Sequence, residues 1–273
     1  MTEMTDEHIS EMELKQVKKY NRQGIEKHSS GDLAGAIADY DLAIELHPYY
    51  IQAYNNRGLA KGQLGDLAGA MADYNHAINI DDKYAKAYYN RGRVRMETGN
   101  ISSAIADYNW AIKQAPNYAK AYYHRVMAKL AADENTEAIG DFNLAIELNP
   151  NYTQAYYQRG NTKDYLGNHT AAIADYNRTI EIAPEHIKSI YNRGNIKCEV
   201  GDNVGAISDY DLAISIDPNH AKSYYNRALN KTALKDRVGA IADFDRAANL
   251  FHEQGDLDSY QKAIQKQTRE YNL

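Results

Sequence analysis

Seven aspartates recur at a fixed interval of 34 residues: Asp39, Asp73, Asp107, Asp141, Asp175, Asp209 and Asp243. A row of carboxylates could serve as general bases or align cations. Arginine recurs almost as strictly at Arg57, Arg91, Arg125, Arg159, Arg193 and Arg227, with Gln23 in the first place of the series. A guanidinium fork matches a carboxylate through two parallel hydrogen bonds, so the two columns are expected to form an Arg–Asp ladder. That is scaffolding rather than catalysis. A third column, Lys27, Lys61, Arg95, Lys129, Lys163, Lys197 and Lys231, reads as long stems covering apolar surface with their heads in water.

Other chemistry is thinly represented. The sequence holds no GxxxxGK phosphate loop, HExxH pair or GxSxG elbow. Its nine histidines lack helical metal spacing and read mostly as solvated or capping residues. Cys198 is the only cysteine, which excludes an internal disulfide framework and a cysteine-based zinc site; it reads as a small apolar filler. No enzyme activity, metal or cofactor is therefore expected. Hydrophobic residues at 44% and charged residues at 25% fit a soluble globular class. No apolar run approaches the roughly 20 residues of a bilayer-crossing helix, and no membrane association is expected. The acidic start lacks a secretory pattern, so the expected location is cytoplasmic. A net charge of −6 argues against a protein that coats nucleic acid.

The elements that must position these columns follow from the period itself. Seven units run without insertion or deletion: 17–50, 51–84, 85–118, 119–152, 153–186, 187–220 and 221–254. In this frame 20 of the 24 tyrosines fall into four columns. These are Tyr20, Tyr54, Tyr88, Tyr122, Tyr156 and Tyr224; Tyr89, Tyr123, Tyr157, Tyr191 and Tyr225; Tyr40, Tyr74, Tyr108, Tyr176 and Tyr210, with Phe142 and Phe244 in the gaps; and Tyr50, Tyr84, Tyr118 and Tyr152. Within a unit, AKAYYNRGRVRMETGN has helical periodicity and stops at a glycine. ISSAIADYNWAIKQAP then places Ala104, Tyr108 and Ala111 on one face and ends at proline. Each unit is thus predicted to be two short antiparallel helices, with the ladder joining second helices to neighbouring first helices. Glycines inside first helices, such as Gly58 and Gly92, cost about 1 kcal/mol against alanine, tolerable where a neighbouring helix must approach closely.

The sequence of aromatic, small residue, turn glycine, alanine, aromatic, alanine and proline is met by Tyr88, Gly92, Gly99, Ala104, Tyr108, Ala111 and Pro116. It resembles the tetratricopeptide repeat over residues 17–254. The resemblance implies an all-α fold, a right-handed superhelix of seven helix-turn-helix repeats whose concave groove is lined mainly by first helices. Departures are local: Val126 and Ala228 replace the helix glycine, and Asp133 and Lys235 the turn glycine. His252 in the proline column suits a terminal unit handing over to a final helix. Residues 255–273 read as that capping helix, with Leu257, Tyr260, Ile264 and Tyr271 facing inward. The acidic segment 1–16 either frays or extends the first helix.

The resemblance also implies which residues face the groove. They are Lys86, Lys120, Lys188 and Lys222; the tyrosines Tyr89, Tyr123, Tyr157, Tyr191 and Tyr225; the amides Asn56, Asn90, Gln158, Asn192 and Asn226, interrupted by His124; and Arg93, Asn161 and Asn195 further along. Carboxamides can donate to and accept from an extended peptide backbone, and lysines favour acidic segments or a C-terminal carboxylate. The same amides and tyrosines have a structural reading as packing and hydrogen-bonding groups. Some relatives capture chaperone tails with a carboxylate clamp. Asn161, Asn192 and Lys222 match three of its places, but Tyr157 and Asn226 stand where a lysine and an arginine belong, which argues against that use. The expected function is a protein–protein interaction scaffold holding a peptide segment or a protein partner in its groove. Self-assembly is one alternative. Binding of single-stranded RNA is another, opposed by the acidic balance and the uniform groove residues.

Overall fold

A computed structural model describes residues 9–272, in which fifteen helices form and no strand. The chain divides into two compact units, Met1–Asn149 and Pro150–Leu273. The first contains α1 (Glu11–Ser29), α2 (Leu33–Leu46), α3 (Ile51–Gln63), α4 (Leu67–Ile80), α5 (Ala85–Glu97), α6 (Ile101–Gln114), α7 (Ala119–Ala131) and α8 (Asn135–Leu148). The second contains α9 (Thr153–Tyr165), α10 (His169–Ile182), α11 (Ile187–Glu199), α12 (Asn203–Ile216), α13 (Ala221–Ala233), α14 (Arg237–Glu253) and α15 (Leu257–Asn272). Odd-numbered helices up to α13 are the first helices of the seven repeats.

Local chemistry sets the helix ends. Ser10 and Glu13 form a reciprocal capping box that starts α1: the Glu13 amide donates to Ser10 Oγ at 3.2 Å and the Ser10 amide to Glu13 Oε2 at 3.0 Å. Of the N-terminal segment, residues 1–8 lie outside the described residues. Asp32, Asp66, Asp202 and Asp236 cap second helices by accepting from the amides of Gly35, Gly69, Gly205 and Gly239 at 2.8–3.0 Å. The turns between paired helices need a left-handed residue. Gly31, Gly65, Gly99, Gly167 and Gly201 supply it at no steric cost, and Asp133 (φ 61°) and Lys235 (φ 64°) adopt it as well. With His252 in place of proline, α14 runs for 17 residues where the six other second helices have 14.

Packing explains the small residues. The rings of Tyr40, Tyr74, Tyr108, Tyr176 and Tyr210 pack closely against the glycines of their own first helices. A Cβ added at Gly92 would come within 2.8 Å of Tyr108 Cε1. Alanine columns such as Ala36 and Ala43, or Ala104 and Ala111, are wholly buried and let paired helices approach. In each unit, first helices of neighbouring repeats touch one another, as α1 with α3, α3 with α5, α5 with α7, and α11 with α13. No pair of neighbouring second helices makes comparable contact among the described residues, so the first helices form the inner side of each stack.

The closing helix α15 packs on α14 through Ala263, Tyr260 and Ile264. Leu257 and Tyr271, read from the sequence as facing inward, are 59% and 63% exposed. They lie in the two terminal turns of the helix, and Tyr271 meets α14 through its carbonyl, which accepts from Arg237 at 2.8 Å, rather than through its ring.

Candidate functional site

The repeating charges resolve into a network that is structural. In the second repeat, Arg57 on α3 donates from Nε and Nη2 to the two oxygens of Asp73 on α4, at 2.9 and 2.5 Å. Its third donor, Nη1, reaches back to Asp41 on α2 at 2.6 Å. Arg91, Arg125, Arg193 and Arg227 repeat this arrangement on Asp107, Asp141, Asp209 and Asp243. Their third donors go to Asn75, Asn109, Asn177 and Asp211. Arg159 forks onto Asp175 in the same way. Each fork therefore lies within one repeat, and the link to a neighbour is made by the remaining nitrogen. The guanidinium also sits 5.2–5.5 Å over the ring three residues earlier, at Tyr54, Tyr88, Tyr122, Tyr156 and Tyr224.

The lysine column departs from its sequence reading. The heads of Lys27, Lys61, Arg95, Lys129, Lys163, Lys197 and Lys231 are not left to water alone: each contacts the aspartate of its own repeat at 2.7–3.0 Å. In repeats two to seven they follow the arginine by one helical turn, so both cations converge on one carboxylate that is almost fully buried, while Asp39, with Gln23 in the arginine's place, has Lys27 alone. One buried charge flanked by two cations keeps its desolvation compensated.

The face assigned to the groove lies on the same helices, one strip over. On α5, Lys86, Tyr89, Asn90 and Arg93 follow at intervals of three and four residues and share one face. The amides there bond chiefly one another. Asn56 donates to Asn21 at 3.0 Å and Asn90, itself buried, to Asn55 at 2.8 Å. In the second unit Asn192 donates to Asn161 at 3.1 Å, Asn226 to Asn195 at 2.9 Å, and Asn161 to Gln158 at 3.0 Å. All but the Asn161–Gln158 bond, which lies within α9, stitch successive first helices together across repeats, a partnership with side chains that the sequence reading did not contain. The hydroxyls of Tyr176 and Tyr210 feed the same network through Asn161 and Asn195.

The second tyrosine column is largely packed. Tyr89 is buried against Tyr108, Tyr118 and His124, with ring centroids 4.8–6.1 Å apart. Tyr123 lies against Phe142 and His124, Tyr157 against Tyr176 and His186, Tyr191 against Tyr210 and His220, and Tyr225 against Phe244 and Phe251. Burial, reinforced by Arg93 and Lys120, pushes His124 down to about 4, so its ring is neutral at pH 7.

The cations of this face are arranged differently from those of the ladder. Lys86, Arg93 and Lys120 in the first unit, and Lys188 and Lys222 in the second, are all exposed. Among the described residues none has a carboxylate within ion-pair distance, whereas every ladder cation has one. In the second unit, a pocket of about 200 Å³ is lined by Tyr191, Lys222, Tyr225, Asn226, Phe251, Ser259 and Lys262. Ser259 and Lys262 come from the closing helix, and the sequence reading, which treated α15 only as a cap, missed them. In the first unit a pocket of about 270 Å³ includes Tyr74, Asn90, Arg93 and Glu97.

A comparison with curated proteins gave no match. Among solved structures the chain is similar to MamA, at 29% identity over 60% of this chain and 96% of that one, with a TM-score of 0.57. It is similar to YrrB, described as a TPR protein with an unusual peptide-binding site, at 24% identity over 67% and 95%, with a TM-score of 0.59. The C-terminal part of a TPR repeat-containing protein from Cytophaga hutchinsonii matches in fold at 18% identity over 89% and 98%, with a TM-score of 0.72. Models of the TPR repeat match residues 24–65 and 62–99, and models of the tetratricopeptide repeat match residues 89–153 and 153–186. Together these matches run unbroken over residues 24–186, and the chain belongs to the tetratricopeptide repeat family.

Proposed function

We infer that the protein is an interaction scaffold whose inner face holds an acidic segment or a C-terminal carboxylate of a partner protein. One observation carries this reading: the exposed cations Lys86, Arg93, Lys120, Lys188 and Lys222 have no carboxylate partner, while the cations one strip away are all paired. A chain of net charge −6 has acidic groups to spare, so this separation leaves a positive strip within each unit of a negative molecule. Such a strip attracts carboxylates and orients them. The packed tyrosines and the amide network give it a rigid floor, which reduces the ordering cost of binding. The description of YrrB as a peptide-binding TPR protein is in keeping with this reading.

The test is fluorescence anisotropy of a fluorescein-labelled peptide of alternating glutamate and glycine, titrated with the full chain. Binding that weakens with salt and falls by about tenfold or more in Lys86→Glu/Lys120→Glu and in Lys188→Glu/Lys222→Glu, with helical content unchanged, supports the proposal. Equal affinity of these variants removes the strip from the site.

A further inference from the structure

We propose that Asp164, His169 and Glu199 form a binding site for one divalent first-row transition ion, zinc being the representative case. The three come from the end of α9, the start of α10 and the end of α11, all in the second unit. One ligand atom from each lies within 4.8 Å of the others. His169 Nδ1 is 3.0 Å from Asp164 Oδ1, and its Nε2 is 3.9 Å from Glu199 Oε1. One ion bonds one ring nitrogen, and Nδ1 faces Asp164 while Nε2 faces Glu199, so side-chain rotations must bring the three ligand atoms to bonds of about 2.0–2.2 Å from a common centre. Glu199, at 67% side-chain exposure, has the freedom to make the largest of them. Water completes the coordination. An imidazole with two carboxylates and no thiolate selects zinc and its first-row neighbours over magnesium or calcium.

Two further observations set this cluster apart from ordinary surface charge. The first is register. The position of His169 is Leu33, Leu67 and Ile101 in the first three repeats, where the side chain packs, and Asn135, Asn203 and Arg237 in the other three; the position of Asp164 is His28, Gly62, Met96, Leu130, Cys198 and Thr232 in the other six. Only the fifth repeat holds a histidine and an aspartate together at these two places, which meet in space. The second is charge. Among the described residues neither carboxylate is paired with a lysine or arginine, and Lys163, adjacent in sequence, has its ammonium on Asp175 at 2.8 Å. A dication would neutralise both acids and tie the helix pair of the fifth repeat to the first helix of the sixth.

The test uses the full chain with Co²⁺ alone, followed by visible absorption, and Zn²⁺ alone in competition and by calorimetry. The expected result is saturable binding of one Co²⁺ with ligand-field bands that Zn²⁺ displaces. His169→Leu, which installs the residue of the first two repeats and so preserves packing, should abolish the bands and lower affinity by at least about tenfold. Glu199→Gln serves as a second variant at an exposed side chain and should weaken binding without changing helical content. No saturable binding by the native chain overturns the proposal, as does binding that both variants leave intact. Neither result depends on whether the inner face takes an acidic segment.

Discussion

The contact between helix glycine and ring is the packing feature most directly tested by mutation. Gly160 carries the ring of Tyr176, with a hypothetical Cβ at 2.8 Å from Cε1 and 3.1 Å from Cδ1. The ring has no room to retreat: Tyr176 is fully buried and its hydroxyl is held by Asn161 at 2.7 Å. The two repeats without the glycine, at Val126 and Ala228, have Phe142 and Phe244 in place of the tyrosine. At this position a phenylalanine would lack the Asn161 tether, so its ring could slide to make room. Gly160→Val should cost about 1–3 kcal/mol through overpacking, less about 0.5 kcal/mol regained from helix propensity. Tyr176→Phe alone should cost about 1 kcal/mol for the lost hydrogen bond. The double variant, which recreates the native pair of the fourth repeat, should be destabilised by no more than about 1 kcal/mol, giving a coupling near 1.5 kcal/mol. Urea denaturation of the four proteins, followed by far-ultraviolet circular dichroism, reads this directly. Additive effects, with coupling below about 0.5 kcal/mol, would refute the linked choice of residues.

Three other outcomes are expected. His124 is held neutral, with its pKa depressed from 6.5 to about 4 by burial, so the unfolded chain binds its proton more readily. The resulting stability is complete above pH 6.5 and is lost as pH falls toward 4, by about 3 kcal/mol for a depression of this size. His124→Asn, the residue of the preceding repeat, should flatten that part of the urea-midpoint profile, and identical profiles would contradict it. Asp209→Asn leaves Arg193 and Lys197 facing an uncharged group and should cost about 3–5 kcal/mol in urea unfolding, against well under 1 kcal/mol for the exposed Asp211→Asn. Lys235→Gly relieves a left-handed backbone at φ 64° and should raise stability by about 0.5–1 kcal/mol; a loss would show that the turn does not strain this lysine.

Much of the fold was legible because it is periodic. A 34-residue repeat with aromatic, glycine and alanine columns specifies helix pairs, and the partnership of Asp209 with Arg193 follows from two columns of opposite charge. What escaped the sequence was contact with another periodicity. Lys197 joins Asp209 from one turn beyond the arginine, which is visible only once the helices are paired. Asn90 meets Asn55 at an offset of 35 and Asn192 meets Asn161 at 31, so no column in a 34-residue frame displays either contact. The inward assignment of Leu257 and Tyr271 assumed a full neighbour along α15. The lysines of the inner face were legible as a column, but their lack of partners was not, because pairing depends on where every carboxylate comes to rest.

The separation of paired from unpaired cations is tested most directly by acetylation footprinting of lysines, read by mass spectrometry with and without the glutamate–glycine peptide. Without peptide, Lys86, Lys120, Lys188 and Lys222 should react faster than Lys61, Lys129, Lys163, Lys197 and Lys231, and adding peptide should slow the first group alone. Equal reactivity of the two groups, or protection by the peptide that spares the first group, would contradict the account.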